Sequence, residues 1–212
     1  MIIPLEQSEG NAIFKPGHFK IYAGAMFTDK TDQFVRDFRR TSFSRVTEYK
    51  VFKPSIDDRF GTGIVKSRNG GVIECIPLPS DHPEYLLDYL TKDTKVIGLD
   101  EAQFFSRQIV DVVQELRLSK RHVIATMLDQ DFRGEPFGVA PHLMAIADEV
   151  QKTYGLCSYN EFTRPYPGTK TQRLINKNPA YYDDPVVLIE HEDRKEQYEL
   201  RCIYHHDVPR RT

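Results

Sequence analysis

One stretch constrains the fold more than any other: Phe19-Lys-Ile-Tyr-Ala-Gly24-Ala-Met-Phe-Thr-Asp29-Lys30-Thr31. An apolar run leads into a tight turn, and a helix opens at Thr31. The spacing Gly-x4-Asp-Lys-Thr is that of a phosphate-binding loop with one residue changed. In such a loop consecutive backbone N–H groups curl around phosphate oxygens, and the helix N-terminus adds a favourable partial charge. Lys30 would reach the outer phosphates and Thr31 would ligate Mg2+. Glycine is wanted where the backbone comes closest to the anion. Asp29 puts a Cβ and a carboxylate there, so sterics and charge both oppose a bound polyphosphate. Taken alone, the stretch is equally compatible with an ordinary strand–turn–helix carrying a surface lysine.

A second run answers the first. Lys95-Val-Ile-Gly-Leu99 ends in Asp100-Glu101, the pattern of a buried strand that presents paired acids near a phosphate-bound metal. Between them, residues 31–45 carry Phe34, Val35 and Phe38 at helical spacing. Tyr49-Lys-Val-Phe-Lys53 reads as a strand running into a polar turn with Asp57 and Arg59, and 64–71 as a strand and turn. Short helices are expected over 83–91 and 106–118, a strand over 121–128 ending at Asp129, and a helix over 141–152. Alternating strands and helices predict a mostly parallel sheet with helices on its faces. Ligands bind such a sheet at the C-terminal ends of its strands, where the loop and the acids fall. After about Thr153 the composition shifts to Tyr, Pro, Asn, Thr and Arg. Residues 158–185 read as a long loop, with short strands at 186–189 and 198–202. Three units follow: an arm over 1–15, an α/β domain over 16–152 and a smaller region over 153–212.

Composition narrows the classes. A chain of 212 residues can bury one sizeable core with a small appendage. A net charge of −2 gives no reason to expect nucleic-acid affinity. No apolar run approaches the ~20 residues of a membrane helix, and no signal-peptide pattern is visible. Three cysteines do not make a disulfide framework. The expectation is a soluble cytoplasmic protein.

The segments Gly-Ala-Met-Phe-Thr-Asp-Lys-Thr (24–31), Phe-Lys-Pro-Ser-Ile-Asp-Asp-Arg (52–59), Ile-Gly-Leu-Asp-Glu-Ala-Gln-Phe-Phe (97–105), Leu-Asp-Gln-Asp-Phe-Arg-Gly-Glu-Pro-Phe-Gly (128–138), Lys-Thr-Gln-Arg-Leu-Ile (170–175) and Tyr-Glu-Leu-Arg-Cys (198–202) occur in that order. Together they resemble the thymidine kinases of the cellular, zinc-containing type over about residues 18–209. The resemblance implies a P-loop NTPase-like α/β fold with a small C-terminal lasso and zinc-ribbon-like domain. It implies transfer of the γ-phosphate of ATP, with Mg2+, to the 5′-hydroxyl of thymidine in nucleoside salvage, by a homo-oligomer, commonly a tetramer. Glu101 would be the base. Gly24, Ala25, Met26, Phe27, Thr28, Asp29, Lys30 and Thr31, with Asp57, Arg59 and Asp100, would bind ATP and its metal. Met26, Phe104, Leu128, Phe132, Phe137, Thr171, Leu188, Ile189 and Tyr198 would enclose the nucleoside, although aromatic residues at such positions are also ordinary core.

Three places depart from the family pattern. Asp29 is the first. The second is the zinc site, which wants two Cys-x-x-Cys or Cys-x-x-His pairs. Here Cys157 pairs with Asn160, and Cys202 with His205. Cys157, Cys202 and His205 are plausible Zn2+ ligands and Asn160 is a weak fourth; the cysteines could equally be small buried residues. The third is the lasso, with extra residues at 162–168 and Glu190-His191 where paired glycines are usual. These changes leave a second reading open: a homologue that keeps the fold, has lost turnover, and binds a nucleoside or serves as a structural or regulatory subunit.

Overall fold

The computed structural model describes residues 15–43, 48–56, 63–163, 165–187 and 196–211. In chain order the elements are β1 (Phe19–Ala23), α1 (Lys30–Phe43), β2 (Glu48–Pro54), β3 (Ile64–Lys66), β4 (Val72–Glu74), β5 (Ile76–Leu78), β6 (Thr94–Leu99), α2 (Ile109–Leu118), β7 (His122–Met127), α3 (Ala140–Ile146) and β8 (Glu149–Lys152). Then come β9 (Gly155–Leu156), β10 (Pro167–Gly168), β11 (Lys170–Ile175), β12 (Asn178–Pro179) and β13 (Glu196–Arg201). A 3-10 helix, Pro83–Tyr89, stands where a short helix is expected.

The main sheet runs β5-β2-β6-β7-β1-β8, and every neighbouring pair is parallel. Its central strands β6, β7 and β1 are mostly apolar because both faces are covered. Successive residues point to opposite faces, so each central strand feeds two cores. Ile21, Phe52, Ile97 and Val123 pack under α2 and α3. Their neighbours Tyr22, Val51, Val96 and Ile124 pack with Phe34, Val35 and Phe38 of α1 and with Val65 and Ile73 of the β3–β4 hairpin. Parallel strands bring the ends of β1, β2, β6 and β7 to one edge, which places the phosphate loop and the acids together.

Two elements differ from the sequence expectation. The helix expected over 141–152 stops at Ile146, and residues 149–152 form β8 alongside β1. Spacing of Leu143, Ile146 and Val150 suits a helix, but the open edge of β1 wins. Asp148 makes the junction: its carboxylate accepts the Phe19 N–H at 2.8 Å and is held by Arg117 at 2.9 and 3.0 Å. The second difference lies within 158–185, where β11 pairs antiparallel with β12 and β13. Gln172 and Arg173 are buried at 2% and 0% exposure, so the strand lacks the apolar alternation that would reveal it. Gln172 exchanges two 2.8 Å bonds with the Asp207 main chain, and Arg173 donates to the Pro185 carbonyl and pairs with the Glu196 carboxylate at 2.9 Å. Of the strand expected at 186–189, residues 186 and 187 form a bend, and Leu188 and Ile189 lie outside the described residues.

Candidate active site

The phosphate loop begins where β1 ends. Gly24 has φ 145°, and a Cβ there would lie 2.4 Å from the Thr153 carbonyl, so only glycine fits. The Ala25 carbonyl accepts from Lys30 Nζ at 2.5 Å and from the Thr28 hydroxyl at 2.9 Å. Thr153 braces the loop from behind, with its N–H on the Ala23 carbonyl at 2.8 Å and its hydroxyl 2.7 Å from that of Thr28. Asp29 has φ 60°. That is the left-handed conformation glycine adopts freely, and Asp is among the few other residues that visit it routinely. Asp29 is exposed, and its carbonyl accepts the Gln33 N–H at 3.1 Å in the first turn of α1. The substitution therefore leaves the turn in place and adds a carboxylate at its rim.

The paired acids sit at the end of β6. Asp100 is 6% exposed, and its Oδ1 accepts from the Thr126 hydroxyl at 2.5 Å. The same hydroxyl oxygen accepts the Glu101 N–H at 3.3 Å. Glu101 is left-handed, φ 48°, and its Oε2 accepts from Gln103 Nε2 at 2.6 Å. A cavity of about 370 Å³ joins residues 26–31 to Asp100, Glu101 and Leu128. Its size is that of a small-molecule site. Lys53, which is 2% exposed, also lines it. So does Arg68, whose guanidinium lies 4.0 Å from the Phe27 ring centroid. Asp57 and Arg59 lie outside the described residues.

Of the expected nucleoside residues, Met26 and Leu128 line this cavity, and Leu188 and Ile189 lie outside the described residues. Thr171 accepts the Met26 N–H at 3.0 Å, and Leu128 donates its N–H to Gln103 Oε1 at 3.0 Å. Phe104 and Phe137 meet edge to face at 5.3 Å. Phe132 is 5% exposed beneath the Arg173 guanidinium, 5.1 Å from its ring centroid. Tyr198 lies on β13 opposite Arg173 of β11. The loop after β7 is built on Asp131, which accepts from Arg133 Nε and Nη2 at 2.9 and 2.8 Å and from two backbone N–H groups.

The C-terminal region brings Cys157, Cys202 and His205 together, with all three donor atoms within 4.8 Å of one another. Both thiols are buried, and Cys202 Sγ is 3.0 Å from His205 Nδ1. Two thiolates and an imidazole suit zinc chemically, and the spread is close to a tetrahedral ligand set. Tyr159 stacks on the His205 ring at 4.7 Å, which fixes the imidazole. Asn160 is exposed.

Several contributors to this site are not marked in the sequence by type or spacing: Lys53, Arg68, Gln103, Thr126 and Thr153. Lys53 and Gln103 fall inside the quoted segments 52–59 and 97–105, which is the one signal that points to them. Thr126 and Thr153 are ordinary strand-end residues until their partners are known.

The thymidine kinase family model matches residues 17–206. A curated thymidine kinase of Coprothermobacter proteolyticus is 42% identical over 200 residues, covering 94% of this chain and 96% of the relative. The match spans both the phosphate loop and the Cys/His cluster. The chain belongs to the thymidine kinase family.

Proposed function

We propose that the protein transfers the γ-phosphoryl group of ATP to the 5′-hydroxyl of thymidine. The observation that carries this is one cavity holding both a phosphate loop and a pair of strand-end acids. Phosphoryl transfer needs positioning, charge neutralisation and one acceptor for the hydroxyl proton. The loop N–H groups and Lys30 hold the phosphates, and Lys30 exchanges its bond to the Ala25 carbonyl for a phosphate oxygen. Thr31 and Asp100 would hold Mg2+, which when bound neutralises phosphate charge. Glu101 takes the proton of the 5′-hydroxyl as the oxygen–phosphorus bond forms and the bond from the γ-phosphorus to the bridging oxygen breaks, leaving ADP. Asp57 and Arg59 act on the metal and phosphates.

Met26, Phe104, Leu128, Phe132, Phe137, Thr171, Leu188, Ile189 and Tyr198 enclose the base and sugar. Cys157, Cys202 and His205 hold a structural Zn2+. The protein works as a cytoplasmic homo-oligomer, with residues 153–212 as its lasso and zinc unit. The family relationship and the intact acid pair favour this over the reading in which turnover is lost. The test is Mg2+-dependent formation of dTMP, identified by mass, with Glu101→Gln alongside. The native protein forms dTMP and Glu101→Gln loses about 100-fold or more in kcat, the usual scale for a missing general base. Equal activity in the two proteins refutes the role of Glu101.

A further inference from the structure

We infer that Gln103 is the positioning residue for the base: its amide orients the Glu101 carboxylate. The inference rests on the assignment of Glu101 as base. Gln103 is 2% exposed, so its amide must find partners inside the protein. Oε1 accepts the Leu128 N–H at 3.0 Å and Nε2 donates to Glu101 Oε2 at 2.6 Å. A backbone N–H can only donate, so Leu128 fixes which end of the amide is oxygen. The nitrogen is thereby turned towards Glu101. A flipped amide would set an oxygen against the carboxylate and a nitrogen against the N–H, losing both bonds.

The rest of the local structure holds this arrangement. Gly138, with φ 49°, lets its loop pass so close to Gln103 that a Cβ would lie 2.3 Å from the Gln103 carbonyl. The Phe104 N–H donates to the Glu101 carbonyl at 3.1 Å, closing the turn between them. The two acids thus hang from the end of β7 by separate side chains, Asp100 through Thr126 and Glu101 through Gln103. Gln103 itself gains and loses no proton in the reaction; the 5′-hydroxyl proton goes to Glu101.

The test is kcat, with KM for ATP and for thymidine, in the native protein and in Gln103→Glu, Gln103→Met and Glu101→Gln. Gln103→Glu keeps an acceptor for the Leu128 N–H and sets a carboxylate oxygen where the donor to Glu101 was. Its kcat falls about 10- to 100-fold, the scale of a misplaced catalytic group, while KM for ATP keeps its native value. Gln103→Met lowers kcat in the same way, and where it fails to fold in a thermal melt Gln103→Glu carries the test. Native kcat in folded Gln103→Glu overturns the inference. Native activity in Glu101→Gln overturns the base assignment instead, so the two failures are distinguishable.

Discussion

The backbone N–H of Met26, in the phosphate loop, donates to the hydroxyl of Thr171, 145 residues further on, at 3.0 Å. One strand of the C-terminal sheet therefore completes a loop at the start of the α/β core. Thr153 does the same from the other side, through Ala23 and Thr28. The loop after β1 and strand β11 of the C-terminal sheet are thus tied by a hydrogen bond.

Thr171→Ala is expected to perturb both substrates. It leaves the Met26 N–H without its partner beside a residue that is 5% exposed, at a cost of about 1–3 kcal/mol. KM rises for ATP as well as for thymidine, and Thr171→Ser restores both. A change confined to thymidine would separate the lasso from the loop.

Asp29→Gly is expected to tighten ATP binding about 10-fold, roughly 1.4 kcal/mol, by removing a carboxylate from the rim of the cavity. Stability changes little, because relief of a left-handed residue is offset by the extra backbone freedom of glycine in the unfolded chain. Calorimetric titration with Mg-ATP measures the first effect and thermal melting the second. Unchanged affinity would mean that the Asp29 charge does not reach the phosphates.

How far these features can be read from sequence follows from what buries them. Strands β1, β6 and β7 are legible because both faces are apolar and each is followed by a turn carrying candidate site residues. Strand β8 is not, since its apolar spacing suits a helix and only the edge of β1 with Asp148 decides otherwise. Strand β11 hides because its buried residues Gln172 and Arg173 are polar. In the candidate site, Lys30, Asp100 and Glu101 announce themselves by type and spacing. Thr126 and Gln103 act through partners set by the register of β6 against β7, which no local pattern encodes.

The Cys/His cluster predicts close to one zinc per chain by elemental analysis of the purified protein. Cys157→Ser or prolonged chelation lowers Tm by more than about 5 °C, at roughly 2–4 °C per kcal/mol for a chain of this size. Asn160→Cys, supplying a third thiolate as fourth ligand, slows zinc loss to a chromogenic chelator. No zinc in the native protein would assign both cysteines to the core.

Burial pushes the His206 imidazole below its ordinary value, and its Nε2 donates to the Phe132 carbonyl at 2.8 Å. The unfolded chain binds this proton near pH ~6.5 and the folded chain only at lower pH. Stability is thus intact above about pH 6.5 and lost as pH falls through that interval. The slope of Tm against pH on the acid side should be shallower in His206→Gln. An unchanged slope would place the acid sensitivity elsewhere.

If the loop bearing Asp29 still delivers phosphate to the acceptor that Glu101 activates, the native protein transfers label from γ-labelled ATP to thymidine. The expected product is labelled dTMP, formed only with Mg2+ and in proportion to protein concentration. No product above the blank at high protein concentration, in native protein and Asp29→Gly alike, would contradict that delivery.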